Sequence, residues 1–183
     1  MAQDTPRKCD PALHQWRAQE ILQPLHNSIP EELLARFDPI YIEYYYKNNV
    51  GRLHTHEVPI EEFRKNPARY MISYGREFGP DVYCISEQKC AVKGGEITIR
   101  IFEPAPKKDT QGQLKKRAAY VNFHGGGWVF GGLMVDHDFC KRVVHNLDGE
   151  VVAFDVDYRL APEHRYPIPV EDCWAAFNWV SKD

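Results

Sequence analysis

A chain of 183 residues, 43% hydrophobic and 13% aromatic, carries enough apolar material for one domain with a sizeable core and does not read as disordered. Its formal net charge of −3 gives no electrostatic case for binding nucleic acid or an anionic membrane. No run approaches the ~18 apolar residues of a membrane span, and Met1-Ala-Gln-Asp-Thr-Pro-Arg-Lys8 lacks the apolar stretch of a secretion signal, so a soluble, cytoplasmic chain is expected. Cys9, Cys84, Cys90, Cys140 and Cys173 are odd in number and have no short paired spacings. They are expected to be small buried apolar side chains, with no disulfide framework, no metal and no cofactor.

Residues 1–78 read as a helical region distinct from the rest of the chain. Leu13, Trp16, Leu22 and Leu25 suggest a first helix of imperfect period. Ser28-Ile-Pro-Glu31 has the spacing of a capping box, with Leu33, Leu34 and Phe37 behind it as an apolar face. Asp38-Pro39 caps and opens the next helix, where Ile40 with Tyr44, and Tyr41 with Tyr45, pair at i,i+4. The tyrosines 41, 44, 45 and 46 either pack that helix on a core or line a pocket. Val58 to Lys65 reads as a short helix closed by Asn66-Pro67. His54-Thr-His56 puts two imidazoles on one side of the chain, but no third ligand is near and Val58-Pro59 points to a loop.

From Asp81 the apolar period changes from helical to two. Ile97, Ile99 and Ile101 alternate with Thr98 and Arg100, and Gly94-Gly95 separates them from Cys90-Ala-Val92, the pattern of a tight hairpin. The charged stretch from Pro104 to Arg117 is a surface connection. Ala118 to Phe123 and Val151 to Phe154 are near-continuous apolar runs, as in strands of a parallel sheet covered on both faces. Between them Phe139, Val143, Val144 and Leu147 mark a helix, with Asp136 or Asp138 as its cap and Gly149 as its stop. Together they make a βαβ unit. Val170, Trp174, Phe177 and Val180 recur as the buried face of a last helix.

The first parallel strand runs into His124 and then Gly125-Gly126-Gly127-Trp128. Three glycines in a row imply positive φ or a close backbone approach, and bare amides at the carboxyl end of such a strand can cradle an anion. That end is where open α/β sheets bind ligands.

His124-Gly-Gly-Gly-Trp128 followed by Asp157-Tyr-Arg-Leu-Ala-Pro-Glu-His-Arg-Tyr-Pro167 resembles the hormone-sensitive-lipase group of α/β-hydrolases, mostly carboxylesterases and lipases. The resemblance covers residues 80–183 well and the first 75 in outline. It implies an α/β-hydrolase fold in incomplete form: antiparallel hairpin, then βαβ parallel strands, with 1–78 as an N-terminal helical cap region and 79–183 as the first half of the core. It also implies that the amides of Gly126 and Gly127 form an oxyanion hole, with His124 and Gly125 bracing the loop. Trp128 packs under the loop or lines the substrate pocket, while Asp157 and Arg159 tie the following loop by charge-assisted hydrogen bonds. His164 is expected to be an exposed loop residue.

The group's serine sits in a Gly-x-Ser-x-Gly elbow, and Ser28, Ser73, Ser86 and Ser181 all lack that setting. Gly75-Arg-Glu-Phe-Gly79 has the spacing with Glu77 at its centre, but Gly79-Pro80 forbids the helix that must come next. The expectation is therefore a fragment of a serine ester hydrolase, ending before the nucleophile strand and inactive alone. Its substrate in the complete protein would be a small ester. The strand ending at His124 would have an exposed edge open to self-association. Two alternatives stay open: a binding-only member similar to plant gibberellin receptors, and an arylformamidase-like amide hydrolase.

Overall fold

The computed structural model describes residues 27–65, 70 and 79–182, which fall into two compact units, one up to residue 70 and one from residue 79 onward. The helix expected around Leu13 to Leu25 and the loop expected at 75–78 lie outside the described residues.

In the first unit α1 (Glu31–Leu34) is a single turn, α2 spans Pro39–Asn48 and α3 spans Ile60–Lys65. Asp38 caps α2, its Oδ1 accepting from the Ile40 amide at 2.8 Å, and Pro39 takes a position where no N–H is needed. Ser28 does not cap: Pro30 is the N-cap of α1 and the helix starts at Glu31, so Ser28 lies too far upstream. The ring of Phe37, just ahead of α2, and those of Tyr41 and Tyr45 on it succeed one another at 5.5 and 5.9 Å. The Tyr45 hydroxyl donates to the Asn27 carbonyl at 3.1 Å. Phe63 is buried on α3, with its ring 6.1 Å from that of Tyr70. His54 and His56 stack at 5.3 Å around a single 3-10 turn, and no group of three metal-ligating side chains occurs among the described residues.

The second unit is a four-stranded sheet with a helix on each face. β1 (Cys84–Val92) and β2 (Gly95–Glu103) form the hairpin, turning at Lys93-Gly94, where Gly94 has φ +79°. β3 (Ala118–Phe123), α4 (His137–Asn146) and β4 (Val151–Asp157) form the βαβ unit, and α5 (Ile168–Val180) comes after it. The strand order is β1-β2-β4-β3, with β3 parallel to β4 and β2 antiparallel to it. Among the described residues β3 pairs on one side only.

Strand alternation divides the core. Cys90, Ile97, Ile99, Ile101, Phe154, Val156 and Tyr158 form one face with Ala176 and Val180 of α5. Ile85, Phe102 and Ala153 form the other with Cys140 and Val144 of α4. Each such fully buried aliphatic or aromatic side chain stabilises the fold by about 1.5–3 kcal/mol.

Both helices sit in a different rotation from the one their apolar period suggests. On α4 the buried residues are His137, Cys140, Lys141 and Val144, while Phe139 and Leu147 are half exposed. On α5 they are Pro169, Asp172, Ala176 and Val180, while Val170, Trp174 and Phe177 face outward. The cause is polar: α4 turns His137 toward Arg100, and α5 turns Asp172 toward Arg159. Asp136 is the N-cap residue of α4, as expected, but its side chain makes no capping hydrogen bond and is used elsewhere. Asp136 accepts from Asn122 and Asp138 accepts from the Gly79 amide at 3.0 Å. Cys84, Cys90 and Cys140 are buried, as expected, and Cys173 partly so, but Cys84 is disulfide-bonded, against the expectation, while Cys90, Cys140 and Cys173 are free. No described helix is long and apolar enough to cross a membrane.

Candidate functional site

The glycine loop leaves the carboxyl end of β3 and returns to α4 through residues 125–136. Its tip is a tight turn in which the amides of Val129 and Phe130 both donate to the Gly126 carbonyl, at 3.1 and 2.9 Å. Gly126 has φ +131°, and a Cβ there would lie 2.0 Å from the Phe130 carbonyl oxygen. Only glycine closes this turn. Gly127 and Trp128 come next with φ of +60° and +61°. Gly125 to Trp128 are exposed, and among the described residues the nitrogens of Gly125, Gly126 and Gly127 donate no hydrogen bond. Three exposed glycines whose amides are not used within the described residues thus follow the strand's carboxyl end.

Beneath them His124 is buried, 2% exposed, and its ring stacks on Tyr158 with centroids 4.3 Å apart and planes 9° apart. Its Nδ1 donates to the Gly125 carbonyl at 2.9 Å, since a carbonyl can only accept, and Nε2 is buried with no hydrogen-bond partner among the described residues. Gly131 returns directly against the same ring: a Cβ there would sit 2.1 Å from Nδ1. The Tyr158 hydroxyl donates to the His124 carbonyl at 2.5 Å, and burial pushes its pKa up to about 12, so it remains a donor. The Ala161 amide donates to the Trp128 carbonyl at 2.8 Å, joining the glycine loop to the segment after β4.

Asp157 ends β4 in register with Thr98, and its Oδ1 lies 3.5 Å from where a Cβ on Gly132 would be. Burial raises its pKa, opposed chiefly by His124. Arg159 does not pair with Asp157. Its guanidinium grips the buried Asp172 in two bonds, Nη2 to Oδ1 at 2.7 Å and Nε to Oδ2 at 2.8 Å, and also reaches the Lys93 carbonyl at 3.0 Å. Trp128 is 61% exposed on the loop, and His164 lies in the segment between β4 and α5.

Sequence reasoning missed the polar groups under the loop. Asn122 Nδ2 donates to Asp155 Oδ1 at 2.8 Å and to Asp136 Oδ2 at 3.0 Å. Asp155 is fully buried with Oδ2 unpartnered, and burial pushes its carboxyl from 3.8 up to about 7, against the Asn122 hydrogen bond that lowers it. A signal was available for two of them: Asn122 and Asp155 interrupt the apolar runs of strands expected to be covered on both faces, whereas Arg100 falls in the polar alternation of β2 and gave none.

Asp155 predicts a pH dependence. Facing it are Arg100 of β2, Asn122 of β3, Asp157 of β4 and Asp136 at the head of α4. Its folded pKa is raised, so the stability gained by binding an extra proton is complete below about pH 4 and lost as pH climbs through 7. The loss amounts to at most ~4 kcal/mol. Asp155→Asn is therefore expected to match the parent near pH 4 and to exceed it by about 2 kcal/mol at pH 8, the unpaired amide group offsetting the rest. Urea midpoints measured across that range test it.

Residues 120–183 match a family model described as alpha/beta hydrolase fold. The carboxylesterase NlhH of Mycobacterium tuberculosis is 39% identical over 88 residues, which cover 48% of this chain and 25% of that protein. Lipase 2 of a Moraxella species is 38% identical over 92 residues, covering 49% of this chain and 20% of its own. A solved arylesterase structure superposes with a TM-score of 0.58 at 26% identity, over 79% of this chain and 44% of the other. The chain thus spans about a quarter of the length of the curated relatives it matches. A mixed sheet of this order, a glycine loop at the end of its parallel strand and the family match agree: the chain has the alpha/beta hydrolase fold, and the relatives it resembles over part of their length include a carboxylesterase and a lipase.

Proposed function

We propose that this chain supplies the oxyanion-stabilising part of a serine carboxylic-ester hydrolase. In the reaction a serine oxygen bonds to the ester carbonyl carbon while a general base, like the serine outside these residues, takes the hydroxyl proton, and the C=O π pair moves onto the carbonyl oxygen as an anion. The amides of Gly126 and Gly127 receive that oxygen, Gly125 and His124 brace them, and Trp128 borders the substrate. The observation that carries this reading is that the exposed Gly125, Gly126 and Gly127 at the end of β3 have amides that donate no hydrogen bond among the described residues. Donors fixed before the reaction need no reorganisation when charge develops, and each is worth about 10²- to 10³-fold in rate.

The 183 residues hold no Gly-x-Ser-x-Gly, so the attacking serine comes on this reading from polypeptide outside them, and the chain alone does not turn over esters. Such polypeptide, or a second copy of the chain, pairs along the open side of β3. Asp157 and Arg159 keep the segment after β4 in place, Arg159 through Asp172.

Two measurements test the proposal together. Titrating the labelled chain with methylphosphonate, a stable tetrahedral anion, should shift the Gly126 and Gly127 amide resonances saturably while the β1–β2 hairpin stays still. A p-nitrophenyl ester should give no acyl-enzyme burst. Unmoved glycine amides would reject the oxyanion role, and a stoichiometric burst would reject the absence of a nucleophile.

A further inference from the structure

The face of the sheet under α4 is divided into two halves. Toward the amino end of β4, Ile85, Phe102 and Ala153 pack with Cys140 and Val144 as ordinary apolar core. One step further along each strand, the four residues in register are Glu87, Arg100, Asp155 and Asn122, so a polar row crosses the whole sheet. Arg100, Asp155 and Asn122 are buried, at 5%, 0% and 7% exposure. Taking such groups out of water is costly, and apolar side chains of similar volume would often be at least as stable there. Stability alone does not account for the row.

The contacts of the row do account for it. Arg100 is held on its strand by Glu87, through Nε at 3.0 Å and Nη2 at 2.8 Å. Its free end reaches the chain returning from the glycine loop, with Nη1 donating to the Leu133 carbonyl at 3.0 Å and lying 3.2 Å from His137 Nδ1. At the other end Asn122 belongs to the outgoing limb, and its single amide group bonds Asp155 behind it and Asp136 on the returning limb. Tyr120 fixes the orientation of that amide, donating to Asn122 Oδ1 at 3.2 Å. The loop is thus closed at its base by Asn122 and Asp136 and tied to the sheet through Arg100.

We propose that Asn122 and Arg100 are positioning residues, which set the direction of the Gly126 and Gly127 amides by clamping the base of the loop to the polar row. The relevance to catalysis rests on the oxyanion reading above, but the clamp itself does not. A donor group displaced by a fraction of an ångström loses much of its worth in an oxyanion site, and a loop rich in glycine has little stiffness of its own.

The test uses the full 183-residue chain and three variants. Asn122→Asp keeps the shape but removes the donor and sets a third carboxylate beside Asp136 and Asp155. The triple variant N122D/D136N/D155N inverts the fork, so that one carboxylate accepts from two amides. Arg100→Lys keeps the charge near Glu87 but loses the reach to Leu133. Hydrogen exchange is read at the Val129, Phe130 and Ala161 amides, whose bonds hold the loop tip, with the β1–β2 hairpin as internal reference.

At pH 7 both N122D and R100K should speed exchange at the tip about tenfold more than in the hairpin, and the inverted fork should restore it. The N122D effect should shrink as pH falls and the carboxylates protonate. Tip exchange that merely tracks the hairpin in both single variants, or a folded inverted fork that restores nothing, would overturn the clamp. Methylphosphonate separates the two ideas. A loosened tip with glycine amides that never responded to the anion retains the clamp and removes the oxyanion role. Responding amides with an unaffected tip do the reverse.

Discussion

Alanine at Gly126 is expected to cost about 3–5 kcal/mol, alanine at Gly127 about 1 kcal/mol, and alanine at Gly125 almost nothing. The three neighbours differ because their surroundings differ. At Gly126 the new Cβ would meet the Phe130 carbonyl oxygen at 2.0 Å and its carbon at 2.6 Å, both backbone atoms of the turn that Gly126 itself closes. No rotamer relieves that clash, and φ of +131° adds strain for any residue with a Cβ. At Gly127 nothing lies within 4 Å of the added methyl, so the penalty is the left-handed backbone at φ +60° alone. Gly125 has neither a positive φ nor a neighbour within 4 Å. Denaturant unfolding of the three variants checks the order, and protection of the Phe130 amide should vanish first in G126A. Equal costs at the three positions would show that the turn is not closed as described. The same series separates need from function, since Gly125 and Gly127 are not demanded by packing.

The parts of this fold that the sequence makes legible are those written locally. Ile97, Ile99 and Ile101 announce β2 because alternation needs only one strand, and Lys93-Gly94 turns the hairpin with the one positive φ it requires. The glycine run after Phe123 places the candidate site at the end of β3 for the same reason. The rotations of α4 and α5 were not legible, although both have clear apolar stripes. Periodicity identifies the side a helix would bury against an apolar partner. Here Arg100, 37 residues from His137, and Arg159, 13 from Asp172, draw polar side chains inward and leave Phe139, Trp174 and Phe177 half exposed or more. Such pairings join residues far apart in the chain, and no local window contains both partners. Ser28 fails as a cap for a different reason, because Pro30 displaced the helix start by two residues. The polar row under the loop was visible only as Asn122 and Asp155 interrupting the apolar runs of β3 and β4, while Arg100 is one of several polar residues alternating along β2.

Loss of the Asp172 carboxylate should be among the most damaging single changes to the sheet unit, at about 3–5 kcal/mol for Asp172→Ala. Asp172 is fully buried on α5 and takes three hydrogen bonds from one residue: the Arg159 amide at 3.1 Å, Nε at 2.8 Å and Nη2 at 2.7 Å. These bonds hold the Arg159 guanidinium above its ordinary pKa. With the carboxylate gone, the arginine keeps only the Lys93 carbonyl among the described residues, and a partly buried cation loses its counter-charge. Three elements part company at once: the hairpin turn, the segment after β4 and the first turns of α5. Asp172→Asn retains one acceptor and should cost less, about 1–3 kcal/mol. Removing both partners, as in R159M/D172L, should be milder than D172A, because no charge is then stranded. A double-mutant cycle on urea midpoints measures the difference. If D172A and the double variant were equally unstable, the damage would come from lost packing on α5 rather than from an abandoned guanidinium, and the charged pair would not be what turns Asp172 inward.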